Sequence, residues 1–232
     1  MNIIKSLAFA IIDFFYPPLC IVCNSDRILR SQKVCTQCWD SIPRITQNMP
    51  QYRELCGIIV RKKSAHELIS CFLFTRNGAF RHIIHALKYR KFKSIGIQLG
   101  RIIGTTLLDR HTEFDIIIPV PLHRVKRRER GYNQSDLIAQ GISSLLQKPI
   151  AAGCLLRTRN TASQTTLSIE DRRQNMQNAF IIRPKHEHDV KAKICLLVDD
   201  IITTGATVKA CIAVLRKAGA AQIIVVSSAL AE

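Results

Sequence analysis

A chain of 232 residues with 47% hydrophobic side chains can hold one ordinary domain plus a small module, and it is too apolar for general disorder. Its 34 lysines and arginines against 17 acids give a formal charge of +17, which favours polyanions: phosphorylated small molecules, nucleic acid or an anionic membrane surface. Charge alone does not choose among these, but no apolar run reaches the roughly 20 residues of a membrane span, so no transmembrane segment is expected.

The first sixteen residues, MNIIKSLAFAIIDFFY, place Ile4, Leu7, Ala8 and Ile11 on one helical stripe that Phe14 and Phe15 extend. The segment is expected to be a short amphipathic helix packed on the body of the protein, with membrane-surface or partner docking as the alternatives. Asp13 interrupts the run and no small-residue cleavage site follows, which argues against a secretory signal.

Cys20-Ile-Val-Cys23 and Cys35-Thr-Gln-Cys38 follow, eleven residues apart. Two such turns supply four soft ligands for tetrahedral Zn²⁺ from a segment too small to fold on a core of its own. Cys20, Cys23, Cys35 and Cys38 are therefore expected to hold a structural zinc with no open position, against disulfides or unligated thiols. A redox pair would sit beside a thioredoxin-like pattern, and none is visible. Cys56, Cys71, Cys154, Cys195 and Cys211 are scattered, and so many unpaired thiols point to a reducing cytoplasm.

The polar break around residues 46–53 is the expected boundary between an N-terminal helix with a four-cysteine zinc module (1–50) and an α/β domain (51–232). Within the latter, Leu68–Phe74 reads as a strand, Phe80, Ile83, Ile84 and Leu87 as the buried stripe of a helix with Arg81, Lys88 and Arg90 on its wet face, and residues 95–108 as a second helix. Residues 116–121 form a buried strand stopped by prolines, 133–146 a helix, 151–155 a short strand, and 222–228 a last strand. Strands separated by helices argue for a mostly parallel sheet covered on both faces.

The most informative run is Ile194-Cys-Leu-Leu-Val198-Asp199-Asp200-Ile-Ile-Thr203-Thr204-Gly205-Ala206-Thr207. A buried-strand pattern ends in two acids and a Thr/Gly loop, and Val208, Cys211, Ile212 and Leu215 then repeat with helical spacing up to Gly219. Thr203, Thr204, Gly205, Ala206 and Thr207 can offer backbone N–H groups, hydroxyls and the positive helix end to one phosphate. Asp199 and Asp200 would repel that phosphate, so they are expected one group away, accepting hydrogen bonds from ribose hydroxyls, with Mg²⁺ held by substrate oxygens relieving their repulsion. A strand ending in two helix-capping acids is the bland alternative, and it leaves the Thr/Gly loop unexplained.

This stretch resembles the phosphoribosyl pyrophosphate (PRPP) signature of type I phosphoribosyltransferases. After Pro121 come Arg124, Lys126, Arg127, Arg128 and Arg130, read as a basic loop over the same crevice, with Arg124, Arg128 and Arg130 as candidates to neutralise pyrophosphate; a merely solvated basic loop is the alternative. The polar stretch from Arg157 to Ser168 is either a lid over the ligand or a surface crossover.

Taken together, the paired cysteine knuckles, Pro119-Val-Pro-Leu before a basic run ending Arg130-Gly-Tyr-Asn-Gln134, Arg157-x-Arg-x-Thr-x-x-Gln164, Arg172–Phe180 and the signature stand in the order of the ComF family. The resemblance covers nearly the whole chain. It implies an α/β, type I phosphoribosyltransferase-like fold behind a zinc-ribbon-like module, and an association with DNA uptake in competent bacteria. Many relatives resemble one another in a second pair of zinc-type motifs, whereas here only Cys56 and Cys71 remain.

Two function classes follow from the resemblance. One is an enzyme moving phosphoribosyl from PRPP to a nitrogen acceptor with release of pyrophosphate. The other is a non-catalytic nucleotide-binding competence factor touching single-stranded DNA or a helicase-type partner. Thr203 stands where hypoxanthine-type enzymes carry an acid, which argues against a 6-oxopurine acceptor. The sequence leaves homo-oligomerisation open.

Overall fold

The computed structural model describes residues 17–26, 28–29, 32–60, 65–158 and 179–232. The expected helix over residues 1–16 and all but the first two residues of the polar stretch after Leu156 lie outside the described residues.

The strands are β1 (Glu67–Phe74), β2 (Ile116–Pro119), β3 (Leu155–Arg157), β4 (Phe180–Ile182), β5 (Ile194–Ile202) and β6 (Gln222–Ala231). The helices are α1 (Thr36–Asp40), α2 (Pro50–Ile59), α3 (Ala79–Tyr89), α4 (Lys93–Asp109), α5 (Arg124–Arg130), α6 (Gln134–Leu146), α7 (Glu187–Val190) and α8 (Ala206–Lys217). One sheet runs in the order β1-β6-β5-β2 with every neighbouring pair parallel, and β3 with β4 makes a separate antiparallel pair.

Strand alternation builds two cores. Leu196 and Val198 of β5 join Ile224 and Val226 of β6 on one face, whereas Cys195 and Leu197 join Ile223 and Val225 on the other. Burial on both sides explains why these strands read as continuous apolar runs. The stripes of α3, α4 and α6 cover the first face, and α2 and α8 cover the second. Helices α4 and α6 touch backbone to backbone. A Cβ on Gly100 would lie 2.1 Å from the Ile138 carbonyl oxygen, and one on Gly141 would lie 2.2 Å from that of Ile97. That contact fixes where α6 begins, beside the carboxyl tips of β2 and β5.

The cysteine segment is packed on the first face. Trp39 of α1 lies 5.8 Å from Phe72 of β1, which lies 5.1 Å from Phe80 of α3. Leu73 N donates to Pro43 O at 2.9 Å and Ile45 N to Cys71 O at 3.1 Å, so the chain after α1 covers the free edge of β1. The Arg44 guanidinium sits 4.3 Å over the Phe72 ring.

Two local expectations change. Residues 124–130, read as a loop, form α5, because Arg and Lys are good helix formers once His123 caps the first turn, and Gly131 at φ 80° ends it. The strand expected over residues 151–155 is displaced: Ile150 makes a single bridge to Ile117, and pairing resumes at Leu155 with Ile182 as its partner. Among the described residues no helix is long and apolar enough to cross a membrane.

Candidate functional site

The helices that follow β2 and β5 leave toward opposite faces, α6 to the first core and α8 to the second. Where neighbouring parallel strands send their connections apart, a crevice opens at their carboxyl tips. Val120 N donates to Val198 O at 2.9 Å, so the end of β2 lies directly beside the residue that precedes Asp199.

Both acids lie in that crevice and both are half-buried. Asp199 Oδ1 accepts from Asp200 N at 2.8 Å and from Ser135 Oγ, at the start of α6, at 3.4 Å. Asp200 Oδ1 accepts from Ile201 N at 2.7 Å, while its Oδ2 lies 2.7 Å from Lys88 Nζ at the end of α3. Crowding by protein atoms, and then the Asp200 charge, push the Asp199 carboxyl up to about 7, with the Asp200 N–H, Lys88 and Ser135 pulling the other way. The pair is poised to gain from any hydroxyl or cation that favours full ionisation. The Asp200 backbone is fixed from behind, because Ser228 Oγ donates to its carbonyl.

Beyond the acids, Thr203 and Thr204 are exposed and Gly205 is buried. Gly205 has φ 72° and opens α8. A Cβ there would meet Ile59 Cδ1 at 3.3 Å and Leu55 Cδ2 at 3.4 Å, so α2 forms the floor under the loop. Only glycine meets both conditions without strain. The exposed residues Thr203, Thr204 and Ala206 and the half-exposed Thr207 thus lead into a helix N-terminus, where free N–H groups and the helix dipole favour an anion.

Helix α5 carries the expected basic residues, but not all in one place. Arg130 Nη1 donates to Gln134 Oε1 at 2.8 Å and its guanidinium lies 5.6 Å over the exposed Tyr89 ring, next to Lys88. Lys126 joins them: burial, then the charges of Arg130, Arg157 and Lys88, hold its ammonium below the ordinary value. Arg124 instead lines a separate cavity and Arg128 is exposed. Lys88 and Ser135 are site residues that sequence reasoning missed, and Lys126 was read within the basic run without being singled out. A lysine on the exposed side of the helix just before the strand tips was the available signal for the first.

The cysteine cluster is closed. The ligand atoms of Cys20, Cys23, Cys35 and Cys38 all lie within 4.8 Å of one another, and Cys23 Sγ is 3.7 Å from Cys35 Sγ. Four sulfurs each about 2.3 Å from one Zn²⁺ have edges near that length. Cys35 N donates to Cys20 Sγ at 3.3 Å; burial raises the Cys20 thiol, but backbone donors from Cys23, Cys35 and Val22 outweigh it and bring it to about 6. The donor set fits structural Zn²⁺. Cys71 is buried with Sγ 3.6 Å from Thr106 Oγ1, and no second cysteine cluster occurs among the described residues.

Two family models match the chain: the phosphoribosyl transferase domain over residues 137–231 and the double zinc ribbon domain over residues 11–65. The first spans the acid pair and its loop, and the second spans the four-cysteine cluster. Competence protein F of Haemophilus influenzae is 28% identical over 223 residues, covering 90% of this chain and 95% of that one. DNA utilization protein YhgH of Escherichia coli O157:H7 is 33% identical over 212 residues, covering 88% and 87%. Competence protein ComFC of Bacillus subtilis is 22% identical over 225 residues, covering 82% and 85%. The sheet with helices on both faces is thus a phosphoribosyltransferase fold, with a zinc-ribbon module packed against it.

Proposed function

This chain belongs to the ComF family of competence and DNA-utilization proteins and carries a phosphoribosyl transferase domain, and we propose that its crevice binds PRPP, or another 5′-phosphoribosyl compound, with Mg²⁺. The observation that carries this reading is the carboxylate pair beside a glycine-opened helix N-terminus, with Lys88 bridging to Asp200. The 5′-phosphate belongs on Thr203–Thr207, and the two ribose hydroxyls on Asp199 and Asp200. Lys88, Lys126 and Arg130 surround the place left for pyrophosphate. Mg²⁺, bound through substrate oxygens and the acid pair, would neutralise the charge between them.

The reaction this supports is phosphoribosyl transfer. The bond from the anomeric carbon to the pyrophosphate oxygen breaks, a bond to an acceptor nitrogen forms, and pyrophosphate leaves with the bonding electrons. Positive charge develops on the ribose ring, close to the acids, and negative charge develops on the leaving group, close to the cations. Calorimetry with PRPP and Mg²⁺, comparing wild type with Asp199→Asn/Asp200→Asn, tests binding; equal heats in the two proteins would end the reading. A nucleobase panel assayed for pyrophosphate release then tests transfer.

The relatives' names speak of competence and DNA utilization and so leave room for the second class, a factor that touches single-stranded DNA or a helicase-type partner, for which the exposed Arg127 and Arg128 are the support. Tyr132 gives none: it is buried, with its hydroxyl donating to Leu87 O, so it is no stacking platform for bases. Silence across the base panel with PRPP binding intact would favour this second class.

A further inference from the structure

In a pleated strand, side chains return to one face at every second residue. Three strands break that rule at the same level of the sheet. Ile69 of β1, Val226 of β6 and Val198 of β5 stand in register, and all three lie on the first face. Phe72, Ala229 and Ile201 also stand in register and lie on that same face, although they come three residues later. The register does not slip across this band, so the strands turn over together and none carries an extra residue.

The band between is polar. Ser70, Ser227 and Asp199 share one row, and Ser228 and Asp200 come next in their strands. Ser227 and Ser228 are fully buried, where a hydroxyl is costly unless it is bonded. Ser227 Oγ lies 3.1 Å from both Ser70 Oγ and Ala229 O, away from the acids. Ser228 reaches across from β6 to β5, where its Oγ donates to Asp200 O. That carbonyl belongs to the same peptide group as Ile201 N, which donates to Asp200 Oδ1 at 2.7 Å. A peptide group is planar, so a hydroxyl holding its carbonyl also sets the direction of its N–H. The N–H in turn holds the Asp200 carboxylate, whose other oxygen meets Lys88.

We propose that Ser228 is a positioning residue for ribose recognition: by fixing one peptide plane it aims the Asp200 carboxylate, and so lets the crevice distinguish ribose from a deoxyribose. The proposal rests on the phosphoribosyl reading above, and it adds that the selectivity for hydroxyls is set from β6, behind the site. Without the Ser228 hydroxyl the peptide can tilt, and the carboxylate loses the direction in which it accepts a sugar hydroxyl.

The test is calorimetry in Mg²⁺ with ribose 5-phosphate, 2-deoxyribose 5-phosphate and 3-deoxyribose 5-phosphate, on wild type, Ser228→Ala and Ser70→Ala. In wild type at least one deoxy sugar should bind about tenfold more weakly than ribose 5-phosphate, as the loss of one hydrogen bond to a carboxylate gives. That ratio should fall to about threefold or less in Ser228→Ala. It should persist in Ser70→Ala, which removes a buried serine from the same band without touching either acid. A general loss of stability would weaken all three sugars alike and leave the ratio in place. The proposal is overturned by a ratio unchanged in Ser228→Ala, by an equal fall in Ser70→Ala, or by no discrimination in wild type. Unchanged discrimination in Ser228→Ala removes this proposal and leaves the phosphoribosyl reading standing, whereas a wild type that binds neither PRPP nor ribose 5-phosphate removes both. Should Ser228→Ala misfold by circular dichroism, Ser228→Cys keeps the volume, weakens the donor and is expected to show the same fall in ratio; a ratio kept there overturns the proposal. Should that variant misfold too, hydrogen exchange on wild type decides: the Ile201 amide should be as protected in the free protein as with ribose 5-phosphate bound, and protection that appears only with the ligand overturns the proposal.

Discussion

Asp199 makes a pH prediction with a definite sign. Its carboxyl is held at about 7 by crowding and by Asp200, so near neutral pH the apo protein is split between protonated and ionised forms. Ribose hydroxyls and Mg²⁺ both favour the ionised form. If binding requires ionisation, a group at about 7 is about 9% competent at pH 6 and about 91% competent at pH 8, so PRPP–Mg²⁺ affinity rises about tenfold across that interval. About half a proton is released per PRPP bound at pH 7. Calorimetry in buffers of different ionisation enthalpy measures the release directly, and Asp199→Asn supplies the control that removes the ligand's own titration. The same raised carboxyl destabilises the apo fold as pH rises: the contribution is intact below the unfolded value of 3.8 and lost as pH passes through about 7. Asp199→Asn should therefore raise the melting temperature relative to wild type at pH 8 and bring little change near pH 3. Identical pH slopes for binding in wild type and Asp199→Asn would refute the reasoning.

Metal analysis of protein purified without chelators should find close to one Zn per chain, and Cys35→Ser should lose the metal and lower the melting temperature; metal loss with unchanged stability would remove the structural role. Gly205→Ala places a Cβ against Ile59 and Leu55 at a left-handed backbone position, a strain of about 1–2 kcal/mol from the backbone alone that the loop escapes by leaving this conformation, so phosphoribosyl binding, which restores it, should weaken about 5- to 30-fold by calorimetry while the far-ultraviolet circular dichroism is kept. Lys88→Gln removes the partner of Asp200 and should raise the dissociation constant for PRPP more than that for ribose 5-phosphate, which lacks the pyrophosphate. Gly141→Leu cannot be accommodated where the α4 and α6 backbones meet, and urea denaturation should show a loss of several kcal/mol or no folded protein.

The signature was readable because its causes are local. An apolar run long enough for one strand, acids at its end, and a glycine before a helical repeat each follow from neighbouring residues, and β5 with α8 realise them. The partner of Leu155 was not readable, because it is Ile182, across a segment whose own residues carry no strand pattern. Lys88 escapes a sequence reading for a related reason. Helical spacing correctly places it off the apolar stripe of α3, but whether the polar face meets solvent or a crevice depends on where the sheet ends, and that is a tertiary fact. In the run from 124 to 130, charge masks propensity. Arg and Lys favour helix, and the αL glycine at position 131 is the expected stop.

Helix α5 shows how charge and architecture meet in this chain. None of its seven residues is buried, so no core holds it, and its single acid, Glu129, stands among five basic residues. Its position is set from its two ends. His123 caps the first turn at Val125 N, and beyond Gly131 the buried Tyr132 donates to Leu87 O while Asn133 donates to Val120 O. These anchors tie the helix to the end of α3, which carries Lys88, and to the tip of β2, which borders the acids. Arg130 is thereby held over Tyr89, next to Lys88, while Arg124 and Arg127 line the neighbouring cavity. A helix of like charges fixed only at its ends gains from any anion held beside it.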